Sequence, residues 1–184
     1  MKADYINDVE KVLLSEEEIA DICKRLGKEI SSDYVGKDLL VVGLLKGSVV
    51  FIADLMRQIS IPCVIDFMDV SSYGAGTVSS GVITVNKDLE ETVEGKSILI
   101  IEDILESGRT LKTVVDMLKE RNPESVKVCT LLNKPEGRKV DFEADYVGAV
   151  IPDEFVIGYG LDYDELYRNL PYVGVLKRSV YENK

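Results

Sequence analysis

The sequence predicts a single α/β domain, a mostly parallel central sheet flanked by helices. Three observations carry that reading. Residues 39–45, 98–101 and 126–132 are short, nearly continuous apolar runs of strand length, the signature of strands buried on both faces. Each run stops at a polar turn containing Gly or Pro. After the first two, apolar residues resume at helical spacing, which gives the strand-turn-helix order of a parallel sheet. A length of 184 residues suits one domain with a sizeable core.

In chain order, Ser15-Glu16-Glu17-Glu18 has the form of a capping box, and Ile19, Ile22, Cys23, Leu26 and Ile30 continue it as one apolar helix face. The acidic first turn suits the helix dipole. The strand over 39–45 ends at Lys46-Gly47-Ser48, and Val49, Val50, Ile52, Ala53, Leu55 and Met56 begin a helix. Lys46 is either a solvated turn residue or, if the sheet is parallel, a cation on the carboxyl edge where ligands bind. Residues 61–70 read as the next strand. The segment 71–81, with Ser72, Tyr73 and three glycines, is a passive hairpin loop or a mobile lid before a strand over 82–85.

The stretch from Ser97 to Leu111 changes from apolar to polar halfway, and the strand is predicted to end at Glu102-Asp103. Ser107 and Thr110 then supply hydroxyls, Gly108 permits close backbone approach, and Leu111, Val114, Val115 and Leu118 share one helix face. The mouth of this loop faces a helix N-terminus, whose free N–H groups and dipole suit a phosphate. An ordinary α/β joint has the same outline. What distinguishes this one is the adjacent pair Glu102-Asp103, which repel each other at the end of a buried strand and call for a cation, hydroxyls or solvent. A helix runs on to about residue 121. The strand over 126–132 ends at Asn133-Lys134-Pro135, and a strand over 146–151 precedes the aromatic, glycine-dense segment 152–163. That segment is a packed surface loop, with Phe155 in the core, or a wall on which a flat heterocycle stacks. Residues 173–177 form the last strand.

Composition narrows the chemistry. There is no histidine, which excludes a Ser-His-Asp triad, a Cys-His pair and a histidine zinc site. A metal would have to be held by oxygen, which favours Mg²⁺ shared between carboxylates and substrate phosphates. The net charge of −11 with no basic stripe speaks against nucleic acid as a partner. Cys23, Cys63 and Cys129 lie among apolar neighbours and read as reduced structural thiols, and no apolar run approaches a signal core or membrane span, so a cytoplasmic protein without a membrane partner is expected. Gly95-Lys96-Ser97 is not a P-loop, because the earlier glycine is replaced by Glu90.

The string Glu102-Asp103-Ile104 with Ser107-Gly108-Arg109-Thr110 resembles the 5-phosphoribosyl 1-pyrophosphate (PRPP) signature of the type I phosphoribosyltransferases. Together with Leu45-Lys46-Gly47-Ser48, Ser72-Tyr73, Leu131-Leu132-Asn133-Lys134-Pro135 and the segment from Ile151 to Tyr163, it is similar to the bacterial 6-oxopurine (hypoxanthine) phosphoribosyltransferases from about residue 13 to 176. The resemblance implies the type I fold, with a core over about 35–150 and a small hood from about 1–14 and 151–184. It implies a purine salvage enzyme that moves the phosphoribosyl group of PRPP to N9 of hypoxanthine or guanine, uses Mg²⁺ and forms a homodimer or homotetramer.

It also implies residue roles. Lys46 and Gly47 contact pyrophosphate across a non-proline cis peptide, with help from Arg168. Glu102 and Asp103 hold the ribose hydroxyls and a metal ion, and Asp162 a second one. Glu106, Ser107, Gly108, Arg109 and Thr110 wrap the 5′-phosphate, and Ser72 and Tyr73 belong to the lid. Phe155 stacks on the base, while carbonyls near Val156 and Asp162 accept hydrogen bonds from a 2-amino group. Lys134, which can only donate, selects a 6-oxo over a 6-amino purine. One departure stands out: Glu106 occupies the position of the presumed acid/base, where relatives carry Asp, and reaches farther by one C–C bond, about 1.5 Å. Ala149-Val150 also replaces an aromatic-acidic pair of some relatives. Two other readings remain at this stage, a non-catalytic PRPP-sensing regulator and an enzyme preferring guanine or xanthine.

Overall fold

A computed structural model describes residues 7–72 and 83–182. Among them the chain forms nine strands, four α-helices and one short 3-10 helix (Pro135–Gly137). Strand β1 (Val9–Leu14) leads into helix α1 (Glu16–Asp33), followed by β2 (Leu39–Leu45), α2 (Val49–Met56), β3 (Val64–Ser72), β4 (Ile83–Lys87), β5 (Ser97–Leu105), α3 (Arg109–Lys119), β6 (Ser125–Asn133), β7 (Tyr146–Val150), β8 (Val156–Ile157), β9 (Val173–Leu176) and α4 (Arg178–Tyr181). The central sheet has the order β4-β3-β2-β5-β6-β7, parallel throughout except for β4. The apolar runs seen in the sequence are its middle strands. A parallel sheet needs helical crossovers, and these cover both faces.

The two faces are packed by different helices. Ile19, Cys23, Leu26 and Ile30 of α1 join Phe51, Ile52 and Leu55 of α2 against Val41, Leu99 and Ile101. On the other side Leu111, Val114, Val115 and Leu118 of α3 meet Leu40, Val42, Ile98 and Ile100. β5 thus sends alternate side chains into two dry layers, which is why its run lacks polar residues. The capping box of α1 forms as its sequence predicts: Ser15 Oγ accepts from the Glu18 amide at 3.2 Å, and the Ser15 amide donates to Glu18 Oε2 at 2.8 Å.

Three features depart from expectation. β5 does not end at Glu102-Asp103 but runs on to Leu105, because β6 still supplies a ladder, pairing Ile104 with Leu132 and Leu105 with Asn133. The side of the sheet faced also changes there, Ile104 packing with the α1/α2 layer and Leu105 with the α3 layer. β1, which has no clear hydrophobic period, forms by antiparallel pairing with β9, from Val9 opposite Leu176 to Leu14 opposite Val173. With β8 on the far side of β9, the two ends of the chain make a second, three-stranded sheet. The cis peptide is Leu45-Lys46, one bond before Lys46-Gly47. Tyr73 and the rest of the glycine-rich segment through residue 82 lie outside the described residues, while Ser72 ends β3.

Cys23 and Cys129 are buried, Cys63 partly so, and none is bridged. Among the described residues no helix is long and apolar enough to cross a membrane. Replacing Ser15 by Ala removes the Oγ that accepts from the Glu18 amide while the backbone bond to the Glu18 carboxylate remains, and should lower the unfolding free energy by about 1 kcal/mol in urea titrations, with native secondary structure unchanged.

Candidate active site

Because β2, β5, β6 and β7 are parallel, their carboxyl ends open on one rim. That rim gathers residues which the sequence places far apart. After β5, the loop Glu106-Ser107-Gly108 enters α3 with Gly108 as N-cap in the left-handed conformation (φ 78°); Gly108 supplies no capping side chain, and the Arg109 amide donates to Ser107 Oγ at 3.4 Å. The helix N-terminus is left open, and a cavity of about 160 Å³ in front of it is lined by Glu102, Glu106, Ser107, Gly108 and Thr110. Arg109 begins α3 beside this cavity and is not among its lining residues.

After β6, Lys134 is 6% exposed. Its ammonium meets Glu106 Oε1 at 2.7 Å, Asp153 Oδ1 at 3.1 Å and the Glu154 carbonyl at 3.4 Å. Burial alone would lower its pKa, but the two carboxylates outweigh burial and hold it above the usual lysine value. Lys134 therefore stays a cation, a donor directed at the space between two strand ends. Glu106 finds room beside Gly137, where an added Cβ would stand 2.5 Å from the Glu106 Cγ.

After β2, the loop at Lys46-Gly47 lies against Asp103. A Cβ on Gly47 would fall 1.7 Å from Asp103 Oδ2, and one on Gly160 (φ 100°) would fall 2.0 Å from the Gly47 carbonyl oxygen. Only glycines permit this threefold approach of backbone, carboxylate and backbone. Gly160 is in turn held by Arg168, whose Nη1 donates to the Gly160 carbonyl at 2.7 Å while Nη2 pairs with Asp162 Oδ1 at 2.9 Å. Tyr159 anchors the same turn to α2 by donating to Asp54 Oδ2 at 2.7 Å. The Nε of Arg168 is buried and has no hydrogen-bond partner among the described residues.

Glu102 and Asp103 carry no ion pair among the described residues. Burial raises both carboxyls, Glu102 further through its neighbour's charge and Asp103 to about 6, despite the amide of Ile104 donating to Asp103 Oδ1 at 2.7 Å. This donor set fits a divalent cation completed by substrate oxygens and water. No group of three acidic residues suited to a metal forms among the described residues. The charge of Asp162 adds to the upward push on Asp103, and its second oxygen accepts the Glu165 amide at 2.9 Å.

Phe155 is 39% exposed and forms an aromatic cluster, stacked on Tyr181 at 5.0 Å and edge-on to Tyr163 at 5.7 Å. It is thus partly exposed and not part of the core. Val156 sits in β8, paired with Val175.

Two contributors escaped the sequence reading. Arg138 ties the ends of β5 and β6 together, donating to the Leu105 carbonyl at 3.2 Å, to the Glu106 carbonyl and to Asn133 Oδ1 at 2.5 Å. Tyr181 backs Phe155 from the C-terminal end. Neither has a local signal, since each works through a partner distant in sequence or after a turn whose shape is set elsewhere.

Residues 11–164 match the family model for the phosphoribosyl transferase domain. The chain is 56% identical to the hypoxanthine-guanine phosphoribosyltransferase of Staphylococcus aureus, over 96% of this chain and 99% of that one. It is 55% identical to the bifunctional protein TilS/HprT of Listeria monocytogenes over 95% of its own length, but spans only 27% of that longer protein. A crystal structure of a hypoxanthine phosphoribosyltransferase from S. aureus superposes with a TM-score of 0.95 at 55% identity, covering 98% of each chain. One from Trypanosoma cruzi, in a ternary substrates complex, gives 0.91 at 43% identity over 95% of this chain and 99% of that one.

The raised pKa of Asp103 has a sign that can be tested. The unfolded chain releases this proton more readily than the folded one, so the ionised carboxylate costs stability at neutral pH, and the cost shrinks as the pH falls below about 6 and is gone only near the ordinary carboxylate value of 3.8. Asp103→Asn keeps the acceptor for Ile104 and removes the charge. Calorimetry should place its melting temperature about 2–4 °C above the parent at pH 7.5, with the gap closing below pH 6.

Proposed function

The chain belongs to the phosphoribosyl transferase family, and from that premise we propose that it joins PRPP to a 6-oxopurine, hypoxanthine or guanine, giving the nucleoside monophosphate and pyrophosphate. One observation carries the proposal: a buried, permanently charged Lys134 shares the carboxyl rim with an open helix N-terminus and a glycine-backed pair of carboxylates.

The division of labour follows from the chemistry of each group. The amides and hydroxyls of the 106–110 loop receive the 5′-phosphate, an anion that suits the open N-terminus of α3. Glu102 and Asp103 accept hydrogen bonds from the ribose hydroxyls. Glu102 and Asp103, with Asp162 at a second position, would hold Mg²⁺, which neutralises the departing pyrophosphate. Lys46, the Gly47 amide and Arg168 receive the pyrophosphate itself. Lys134 donates to O6 of the base and conflicts with a 6-amino group, which disfavours adenine. Glu106 lies 2.7 Å from Lys134 and so within reach of the same edge of the purine, where it takes the N7 proton. Phe155 offers a face to the ring. Ser72 and Tyr73 are assigned to the lid that keeps water from the oxocarbenium-like ribose carbon. A cytoplasmic location and assembly as a homodimer or homotetramer complete the reading.

The test uses purified protein with PRPP, Mg²⁺ and each base in turn. Pyrophosphate release with hypoxanthine or guanine and at least 100-fold lower kcat/KM with adenine is the expected result; no nucleotide with any 6-oxopurine rejects the proposal. Replacing Glu106 by Gln should lower kcat by about 10²-fold or more with little change in the KM for PRPP, the mark of a group used only in the chemical step. Asp in the same place should retain most activity. Equal kcat in all three proteins would remove Glu106 from proton transfer.

A further inference from the structure

Glu165 has no part in the functional reading, yet it touches both cations assigned to pyrophosphate. Its Oε2 lies 3.0 Å from the Lys46 ammonium and 3.5 Å from Nη2 of Arg168. Lys46 follows the cis bond at the end of β2, and Arg168 belongs to the turn that braces Gly160, so a single carboxylate spans two elements 119 residues apart in the case of Lys46. The turn is shaped to deliver it. Asp164, Glu165 and Tyr167 all have positive φ, of 56°, 62° and 74°, a bridge pairs Tyr163 with Leu166, and the Glu165 amide donates to Asp162. Left-handed backbone at three non-glycine positions is sparsely populated and persists only where surrounding contacts enforce it. The hydrogen bond from Lys46, with the charges of Lys46 and Arg168, also holds this carboxyl below its ordinary pKa.

A carboxylate set between a lysine and an arginine presents two oxygens and negative charge, as one end of a diphosphate does. We propose that Glu165 is an affinity-setting residue that competes with the diphosphate of PRPP, and with product pyrophosphate, for Lys46 and Arg168. It keeps these cations together in the absence of substrate, yields them when the diphosphate arrives and reclaims them as pyrophosphate leaves. The exchange is feasible because both partners of the Lys46 pair are about two-thirds exposed, 66% and 65%. Such a pair is weak beside the several charge-assisted bonds of a polyanion. Glu165 therefore weakens PRPP and pyrophosphate binding alike, and opposes product inhibition.

The inference rests on the pyrophosphate role given to Lys46 and Arg168 under the proposed function. The experiment compares the parent with Glu165→Gln, which keeps the side-chain volume and removes the charge, and Glu165→Asp, which keeps the charge on a shorter stem. Dissociation constants for Mg²⁺-PRPP and for pyrophosphate are measured with steady-state constants for PRPP and hypoxanthine. For Glu165→Gln, KM for PRPP and Ki for pyrophosphate should both fall by about two- to fivefold, the range of an exposed ion pair. KM for hypoxanthine and the melting temperature should not move, a split that a merely structural role would not produce. Glu165→Asp should fall between the two. An active parent whose Gln variant binds PRPP and pyrophosphate unchanged, or more weakly, overturns the inference alone. A parent that makes no nucleotide from PRPP and any 6-oxopurine overturns the functional reading first.

Discussion

Gly47 is pressed between the Asp103 carboxylate and the backbone of Gly160, and the geometry of the rim depends on that contact. Three segments with no sequence proximity meet there: the turn after β2, the end of β5 and the left-handed turn that follows β8. No side chain separates them, so a small shift in one is passed to the others. The braces around the contact serve the same end. Arg168 holds Gly160 by its carbonyl, Tyr159 ties that turn to α2, and Arg138 fastens the strand ends that present Glu106 and Lys134. The site is therefore built mainly from backbone held in place, with few functional side chains mounted on it.

Charge in this acidic chain is arranged in local exchanges. Lys134 is met by Glu106 and Asp153, Arg168 by Asp162 and Glu165, and Lys46 by Glu165. Each cation of the rim already holds a carboxylate, so binding an anionic or carbonyl ligand replaces one acceptor by another and strips no bare charge of water. The cost of partner exchange is small where the groups are exposed, as at Lys46, and larger at Lys134, which is buried. Glu102 and Asp103 are the opposite case. Neither forms an ion pair among the described residues, and desolvation raises the pKa of both, only partly offset at Asp103 by the charge of Arg168.

The legible parts of the fold were those with a local cause. Residues 39–45 and 98–101 have no polar interruption because both faces are covered, and Leu111, Val114, Val115 and Leu118 repeat at the helical period because one face is. The loop 106–110 could be read as a glycine turn opening a helix, and Gly108 is that helix's N-cap. β1 could not be read, since Val9–Leu14 is half exposed and owes its conformation to β9 at the other end of the chain. Nor could β8, whose two residues are too few for any period.

The sequence by itself determined the class of the fold, the strand ends that carry polar groups and the identity of those groups: a lysine that can only donate, adjacent carboxylates and a glycine turn opening a helix. These depend on composition and on periods of two to four residues, which each segment carries within itself. Tertiary structure decided which groups meet. The strand β5 outran its carboxylates because β6 was beside it, Phe155 stacked on Tyr181 outside the core, and Glu165 met Lys46 through a turn whose left-handed residues have no signature of their own. The physical reason is that pairing and charge contacts act through space, between atoms whose separation along the chain is arbitrary until the sheet has closed.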